Sequence, residues 1–307
     1  MKTYIKIAVI STLCAFLVSC DDYIEVDNHS GIPADELITS VENAQTALNG
    51  AYNGFYGTNL FYFRIYYYTL LATNELESRK ADEELSPLEN FQYYDGAAFI
   101  AGYWKDLYSI ISRANDVCTK IYRLRNSGEL TAAENGQLDR MIGECNFLRA
   151  WAYFYLARSF GDKLPSHPQY NSAELGVPIV DSLIVSKSQL MIPRNTLGEC
   201  WTKITRDFEQ AYNRLPAQWG NDKLGAATKG AAAGYLGQAY MFLNNCDKAK
   251  EWFEKAMQAD DYRLTDNYAW NFDAYHENNS ESVFEVQFQA TSSYADLASY
   301  LWRRLGP

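Results

Sequence analysis

The chain has 307 residues, 48% hydrophobic and 21% charged, with a formal net charge of −11. That length holds one large domain or two modest ones, and that apolar fraction supports a substantial core. The acidic balance excludes the basic footprint that nucleic-acid binding requires, and equally a charge-driven attraction to anionic membranes. His29, His167 and His276 are the only histidines and lie far apart, so neither a metal-ligand spacing nor a His-based catalytic set emerges, and no cofactor or metal is expected. Aromatics make up 15%, with Tyr (24) ahead of Phe (15). A tyrosine has an apolar body and a polar tip, which suits packing between helices and also contact with sugars or partners.

Residues 1–19 read as a secretory signal. Lys2 and Lys6 form a basic start, and 7–18 is an apolar run too short to span a bilayer. Loss of these two lysines takes the net charge to −13. Leu17-Val18-Ser19-Cys20 resembles a bacterial lipobox, in which the cysteine is acylated and becomes the new N-terminus. Several acyl chains on Cys20 would anchor the protein stably, since each buried methylene adds about 0.8 kcal/mol. Asp21 and Asp22 resemble an export signal to the cell surface, and 20–35 is expected to be a lipidated tether. Cys118, Cys145, Cys200 and Cys246 remain in the body. With no close spacing among them, buried free thiols are expected at all four, although an exported protein can oxidise such residues in pairs.

The body, 36–275, reads as helical. Thr39-Ser40-Val41-Glu42 has the form of a capping box opening a first helix, with Ala44, Ala47, Leu48 and Ala51 on one face. Residues 60–77 predict a second helix. Residues 79–96 read as a loop carrying Phe91, Tyr93 and Tyr94, aromatics with no helical stripe to join. A long helix is expected over 99–125, with Trp104 packing, and a turn at 126–128. Thr131 to Glu134 form a second capping box, which starts the next helix. That helix carries Phe147, Leu148, Trp151, Tyr155 and Leu156 on a wide apolar face, with small alanines between them. Gly161 is expected to close it in a left-handed cap, and Pro165 forbids its resumption. Residues 162–194 form a long, proline-rich connection. A third capping box, Thr196 to Glu199, opens a helix with Trp201, Ile204, Phe208, Ala211 and Leu215 on one side. Leu236-Gly237, Tyr240, Ala249 and Phe253 match the tetratricopeptide pattern, so 233–261 is expected to be a helical hairpin. Residues 281–289 alternate Phe284, Val286 and Phe288 with polar neighbours, which predicts a strand.

The segment ECNFLRAWAYFYLARSFGDKLP at 144–165 resembles the signature helix of the SusD/RagB family, surface lipoproteins of Bacteroidota that capture glycans or other nutrients. Trp104, Tyr108, Ile111, Ala114 and Asn115 also match a family pattern, as do 47–52, 175–180 and 194–216. The resemblance covers about 20–300, and 276–307 would be the start of a C-terminal region mostly without counterpart, so a fragment or a naturally short member is expected. It implies a mainly α fold of tetratricopeptide-like hairpins (a SusD-like superhelix) with long loops and a short β segment near the C-terminus. It also implies an outer-membrane protein, facing outside and held by lipid on Cys20, that binds an oligosaccharide or other nutrient and delivers it to a SusC-like TonB-dependent transporter. Such a site needs no catalytic residue: rings stack on sugar C–H faces while amides and carboxylates bind hydroxyls. The candidates are Tyr93, Tyr94 and Tyr294, with Asn74 and Glu75 as hydrogen-bond partners. The alternative is an envelope-anchored helical scaffold that binds protein, since fold alone does not decide function. An enzyme is disfavoured by the lack of a GxSxG or HExxH motif.

Overall fold

The computed structural model describes residues 38–60, 70–71, 73, 75, 77–78, 85–92, 94, 97–128, 130–183, 189, 191–220, 223–259, 262–273 and 275–287. Among them are seven α-helices: α1 Val41–Tyr52, α2 Ser86–Glu89, α3 Ala98–Asn126, α4 Ala132–Phe160, α5 Leu197–Arg214, α6 Lys229–Phe242 and α7 Cys246–Ala259. Helices α3 to α7 pack in chain order, each against the next, and α1 lies against both α3 and α4. This is the logic of stacked helical hairpins, in which each pair buries its apolar face on its neighbours.

Helix α4 is the centre. The Thr131 hydroxyl accepts from the Glu134 N–H while the Glu134 carboxylate accepts from the Thr131 N–H, so the predicted capping box forms. Every residue from Met141 to Phe154 is buried, which makes this a core helix covered on all sides. Its rings meet those of other elements edge-on: Trp151 touches Phe55 at 4.8 Å and Phe147 touches Phe284 at 5.0 Å. Arg149 is a buried cation at the centre of this interior. Its Nε and Nη2 donate to Asp207 of α5 at 2.6 and 3.0 Å, and Nη1 donates to Asn115 of α3 at 2.9 Å. Burial disfavours the guanidinium charge, but Asp207 outweighs it and holds the group firmly protonated. One buried network therefore sets the register of three helices.

The exit of α4 is fixed by Arg194. Its guanidinium donates to Gly176 O at 2.6 Å, Leu175 O at 3.0 Å, Phe160 O at 3.1 Å and Asp162 Oδ1 at 2.8 Å. Gly161 is extended (φ −70°, ψ 149°), not in the left-handed cap the sequence suggested. Glycine is required here by space: a Cβ would lie 2.5 Å from Ala157 O and 2.6 Å from Leu197 Cδ2. The long connection then runs over the helices. Tyr108 donates to Pro178 O at 2.7 Å, the Val180 N–H donates to the Tyr153 hydroxyl at 2.7 Å, and Asn115 donates to Val180 O at 2.8 Å. Thr196 caps α5 through a complete capping box, as expected.

The α6–α7 hairpin realises the tetratricopeptide pattern. A Cβ on Gly237 would come within 2.7 Å of the Phe253 ring, so the small and large positions of the motif are direct contact partners. The predicted C-terminal strand is absent from the described residues 281–287. Its alternation has another cause. Phe284 and Val286 pack on the core, while Glu285 and Gln287 are tied to Asn278, and among the described residues no neighbouring strand offers a ladder. The Tyr56 hydroxyl donates to Gln287 O and fastens this strap to the N-terminal helical region.

Other expectations shift in detail. The first N-cap is Ser40, whose side chain accepts from the Asn43 N–H; the third helical residue is thus Asn43, and the box read at Thr39 does not form. The loop at 79–96 contains the single turn α2, which begins at Ser86 with Pro87 in its first turn, where proline is tolerated. Most of the predicted 60–77 helix lies outside the described residues. Cys118, Cys145 and Cys200 are buried free thiols, but Cys246 is exposed because it begins α7 on its open side. Trp104 packs as expected, with ring contacts to Tyr108 at 4.8 Å and Phe160 at 4.9 Å.

Candidate functional site

Of the residues singled out by sequence, Cys20, Asn74, Tyr93 and Tyr294 lie outside the described residues. Glu75 is exposed, with its backbone N–H donating to Thr73 Oγ1 at 3.1 Å. Tyr94 is 54% exposed. Among the described residues no hydrogen bond, ion pair or ring contact joins Glu75 to Tyr94. Near Tyr94 the chain is held by α2, where Glu89 accepts from the Ser78 N–H at 3.0 Å and from its hydroxyl. The turn after α2 carries Phe91 to the surface with φ +55°, a region most side chains avoid. Backbone held this way costs on the order of 1 kcal/mol and points to a constraint worth testing.

A second aromatic surface lies after the last hairpin, in 262–287. Tyr268 is 75%, Phe272 73% and Tyr275 92% exposed. Tyr268 and Phe272 meet with ring centres 5.1 Å apart, and Trp270 stacks on His276 at 4.5 Å and 12°. A short 3-10 turn, Tyr268–Asn271, places Tyr268 and Trp270, and Asn267 caps it by accepting the Ala269 N–H at 3.1 Å. The sequence has four rings in YAWNFDAY, without the helical spacing that would bury them.

Polar side chains hold this loop from within. Asp273 accepts from the backbone N–H groups of Tyr275 at 2.8 Å and His276 at 3.0 Å, and its carboxylate meets His276 Nδ1 at 2.8 Å. The bond to His276, assisted by those N–H groups, keeps the Asp273 carboxyl below its ordinary value. Glu281 accepts from Asn271 at 3.0 Å and from the Thr265 N–H and hydroxyl at 3.1 Å each, and these bonds lower its pKa too. Asn278 and Gln287 exchange side-chain amide bonds at 3.0 and 2.9 Å. The result is exposed rings on a backbone fixed by carboxylates and amides. Rings of this kind offer flat apolar faces and phenolic hydroxyls to a ligand at little cost in side-chain ordering. The sequence candidates Tyr93, Tyr94 and Tyr294 do not include this loop. The usable signal was the density of rings in 268–275.

Among the described residues there is no cluster of His, Cys, Asp and Glu able to hold a metal ion, and no helix long and apolar enough to cross a membrane.

Comparison with known proteins agrees with the helical architecture. A SusD-like protein of Formosa agariphila, P2, is 27% identical over 282 residues, covering 89% of this chain and 50% of the relative. A SusD-like protein of Bacteroides ovatus is 22% identical and is again half covered. The chain thus spans about half the length of the curated relatives it matches. Among solved structures, a SusD superfamily protein from Bacteroides thetaiotaomicron superposes with a TM-score of 0.69 at 24% identity, over 82% of this chain and 53% of the other. A SusD-like carbohydrate-binding protein from Bacteroides vulgatus gives 0.70 at 19% identity, over 87% and 54%. At these identities the structures establish the fold. Residues 22–241 match the sequence model of the SusD-like family described as starch-binding and associating with the outer membrane, and the chain belongs to that family.

Proposed function

We propose that this chain captures glycan at the outer membrane, held by lipid on Cys20 and facing outward, and passes it to a SusC-like TonB-dependent transporter. The observation that carries this reading is the set of exposed rings at Tyr268, Phe272 and Tyr275 in a chain of a starch-binding family. A saccharide presents C–H faces that stack on such rings, while its hydroxyls find amide and carboxylate partners. The family names carbohydrate binding rather than catalysis, which favours a capture protein over an enzyme. Tyr94 and Glu75, with the undescribed Asn74, Tyr93 and Tyr294, remain candidates for a second contact area.

The test is whole-cell labelling with fluorescent polysaccharides, alongside affinity capture of the chain from solubilised membranes. Cells displaying the chain should be labelled, the Cys20→Ser variant should not retain the label, and a transporter should co-purify. Labelling that survives Cys20→Ser at the cell surface would remove the lipid anchor from the account. Absence of labelling by every polysaccharide would favour the scaffold reading. Exposed Met241 and Met257 on the last hairpin would suit that alternative, since methionine adapts to varied partners.

A further inference from the structure

A cleft of about 600 Å³ opens between the start of α1, the first half of α4 and the connection from α5 to α6. Glu42 and Gln45 line it from α1, Gln137 and Arg140 from α4, and Trp219 and Lys223 from the connection. None of the exposed rings of 262–287 borders it. Its size falls within the range of small-molecule pockets.

Two of these groups are cations, in a chain whose net charge is −11. Several lysines and arginines elsewhere sit on carboxylates, as Lys120 does on Asp116, Arg149 on Asp207 and Lys203 on Asp181. Arg140 is exposed and makes no hydrogen bond or ion pair among the described residues. Its fork of N–H donors, which matches a planar carboxylate, is open to a ligand. Lys223 also lacks a carboxylate partner among the described residues, and neutral groups hold it in place. Its Nζ donates to Gln45 Oε1 at 2.6 Å and lies 4.5 Å over the Trp219 ring. Gln45 is anchored in turn, donating to Asn49 Oδ1 at 3.0 Å, and the Trp219 indole N–H donates to Ala227 O at 2.7 Å. The ammonium has three donors and gives one to Gln45, so it reaches the cleft ordered and with donors to spare.

The two cations converge, since both act on one carboxyl, that of the buried Glu144. Burial disfavours the charged form of that carboxyl, so it cancels only part of their charge. Glu42 is the one carboxylate among the described lining residues. An anion that enters therefore meets net attraction at short range, although the acidic chain as a whole repels polyanions from a distance. The cleft is far larger than an inorganic anion, and such an anion would gain nothing from Glu42. A sugar would: the Glu42 carboxylate accepts from hydroxyls, and the exposed Gln137 amide, with no hydrogen bond among the described residues, both donates and accepts.

We propose that this cleft is a subsite for an acidic sugar residue, a uronate whose carboxylate lies between Arg140 and Lys223 while its hydroxyls meet Gln137 and Glu42. The proposal rests on the glycan-capture reading and narrows it, from glycans in general to those that carry carboxylates.

The experiment is calorimetric titration of the full chain in detergent micelles with oligomers of D-galacturonate and of D-mannuronate, each beside its neutral methyl ester, and with sodium acetate as a free carboxylate. Affinity gels on neutral polysaccharides run in parallel. At least one acidic oligomer should bind about tenfold or more tighter than its ester and than acetate, and a tenfold rise in sodium chloride should weaken it. Arg140→Gln and Lys223→Gln should each weaken the acidic oligomer about tenfold and leave the ester unmoved. Lys250→Gln, on the exposed side of α7, should change neither. The proposal is overturned if no acidic oligomer binds, if the ester or acetate binds as tightly, if both cleft variants bind as the parent does, or if Lys250→Gln weakens binding as much as they do. Equal binding of acid and ester, or gel retardation without acid binding, would remove the cleft and keep glycan capture. A folded chain that neither binds an oligomer nor is retarded by any polysaccharide would remove both.

Discussion

Helix α4 and the 262–287 loop use aromatic residues in opposite ways. In α4 the rings of Phe147, Trp151 and Phe154 are fully buried, and the buried Arg149 is held by the Asp207 carboxylate. In the loop the rings of Tyr268, Phe272 and Tyr275 face water while the polar groups turn inward to hold the backbone. The first arrangement is what stability selects, since burial of apolar area dominates folding. The second gains little from burial, and its rigidity makes sense as preparation for a partner.

That contrast can be broken at several points, beginning with the largest effect. Arg149→Met leaves Asp207 buried without its main partner, which should cost about 3–5 kcal/mol and is measured by chemical denaturation. An unchanged midpoint would mean that the network is not what fixes α3, α4 and α5 together. The next effect is a pH dependence. Glu144 titrates near 7 in the folded chain against 4.5 as its ordinary value, so between these values the folded state holds the extra proton. Stability should therefore be greatest below about pH 4.5 in this contribution and fall by about 3 kcal/mol as pH rises past 7. Glu144→Gln should flatten that slope, and an equally steep profile in the variant would assign it to other groups. Smaller still is Thr196→Ala, which removes the α5 capping box and should cost about 1 kcal/mol, read as a lowered Tm. Replacing Tyr268, Phe272 and Tyr275 by alanine should change stability least, by about 0.5 kcal/mol or less each.

The same contrast explains what could be read from the sequence. Helices α3 to α7 were legible because their apolar spacing, their two threonine capping boxes and the Gly237–Phe253 partnership are local signals that packing reinforces. The N-cap at Ser40 was missed by one residue, since Thr39 and Ser40 are both chemically able to cap. The strand was mistaken because one-sided burial of Phe284 and Val286 alternates whether or not a ladder forms, and pairing depends on a neighbour that local pattern does not encode. The extended Gly161 was misread for a similar reason: Leu197, far along the chain, decides its space. The aromatic loop was harder, because exposure is a property of the whole fold.

The most direct test of glycan capture is affinity electrophoresis on soluble polysaccharides, comparing the parent chain with the Tyr268→Ala, Phe272→Ala, Tyr275→Ala triple variant. The account predicts that at least one polysaccharide retards the parent, that the triple variant runs free, and that both unfold at nearly the same Tm. Retardation unchanged in the triple variant would contradict the placement of the site, and a folded parent chain that no polysaccharide retards would contradict capture itself.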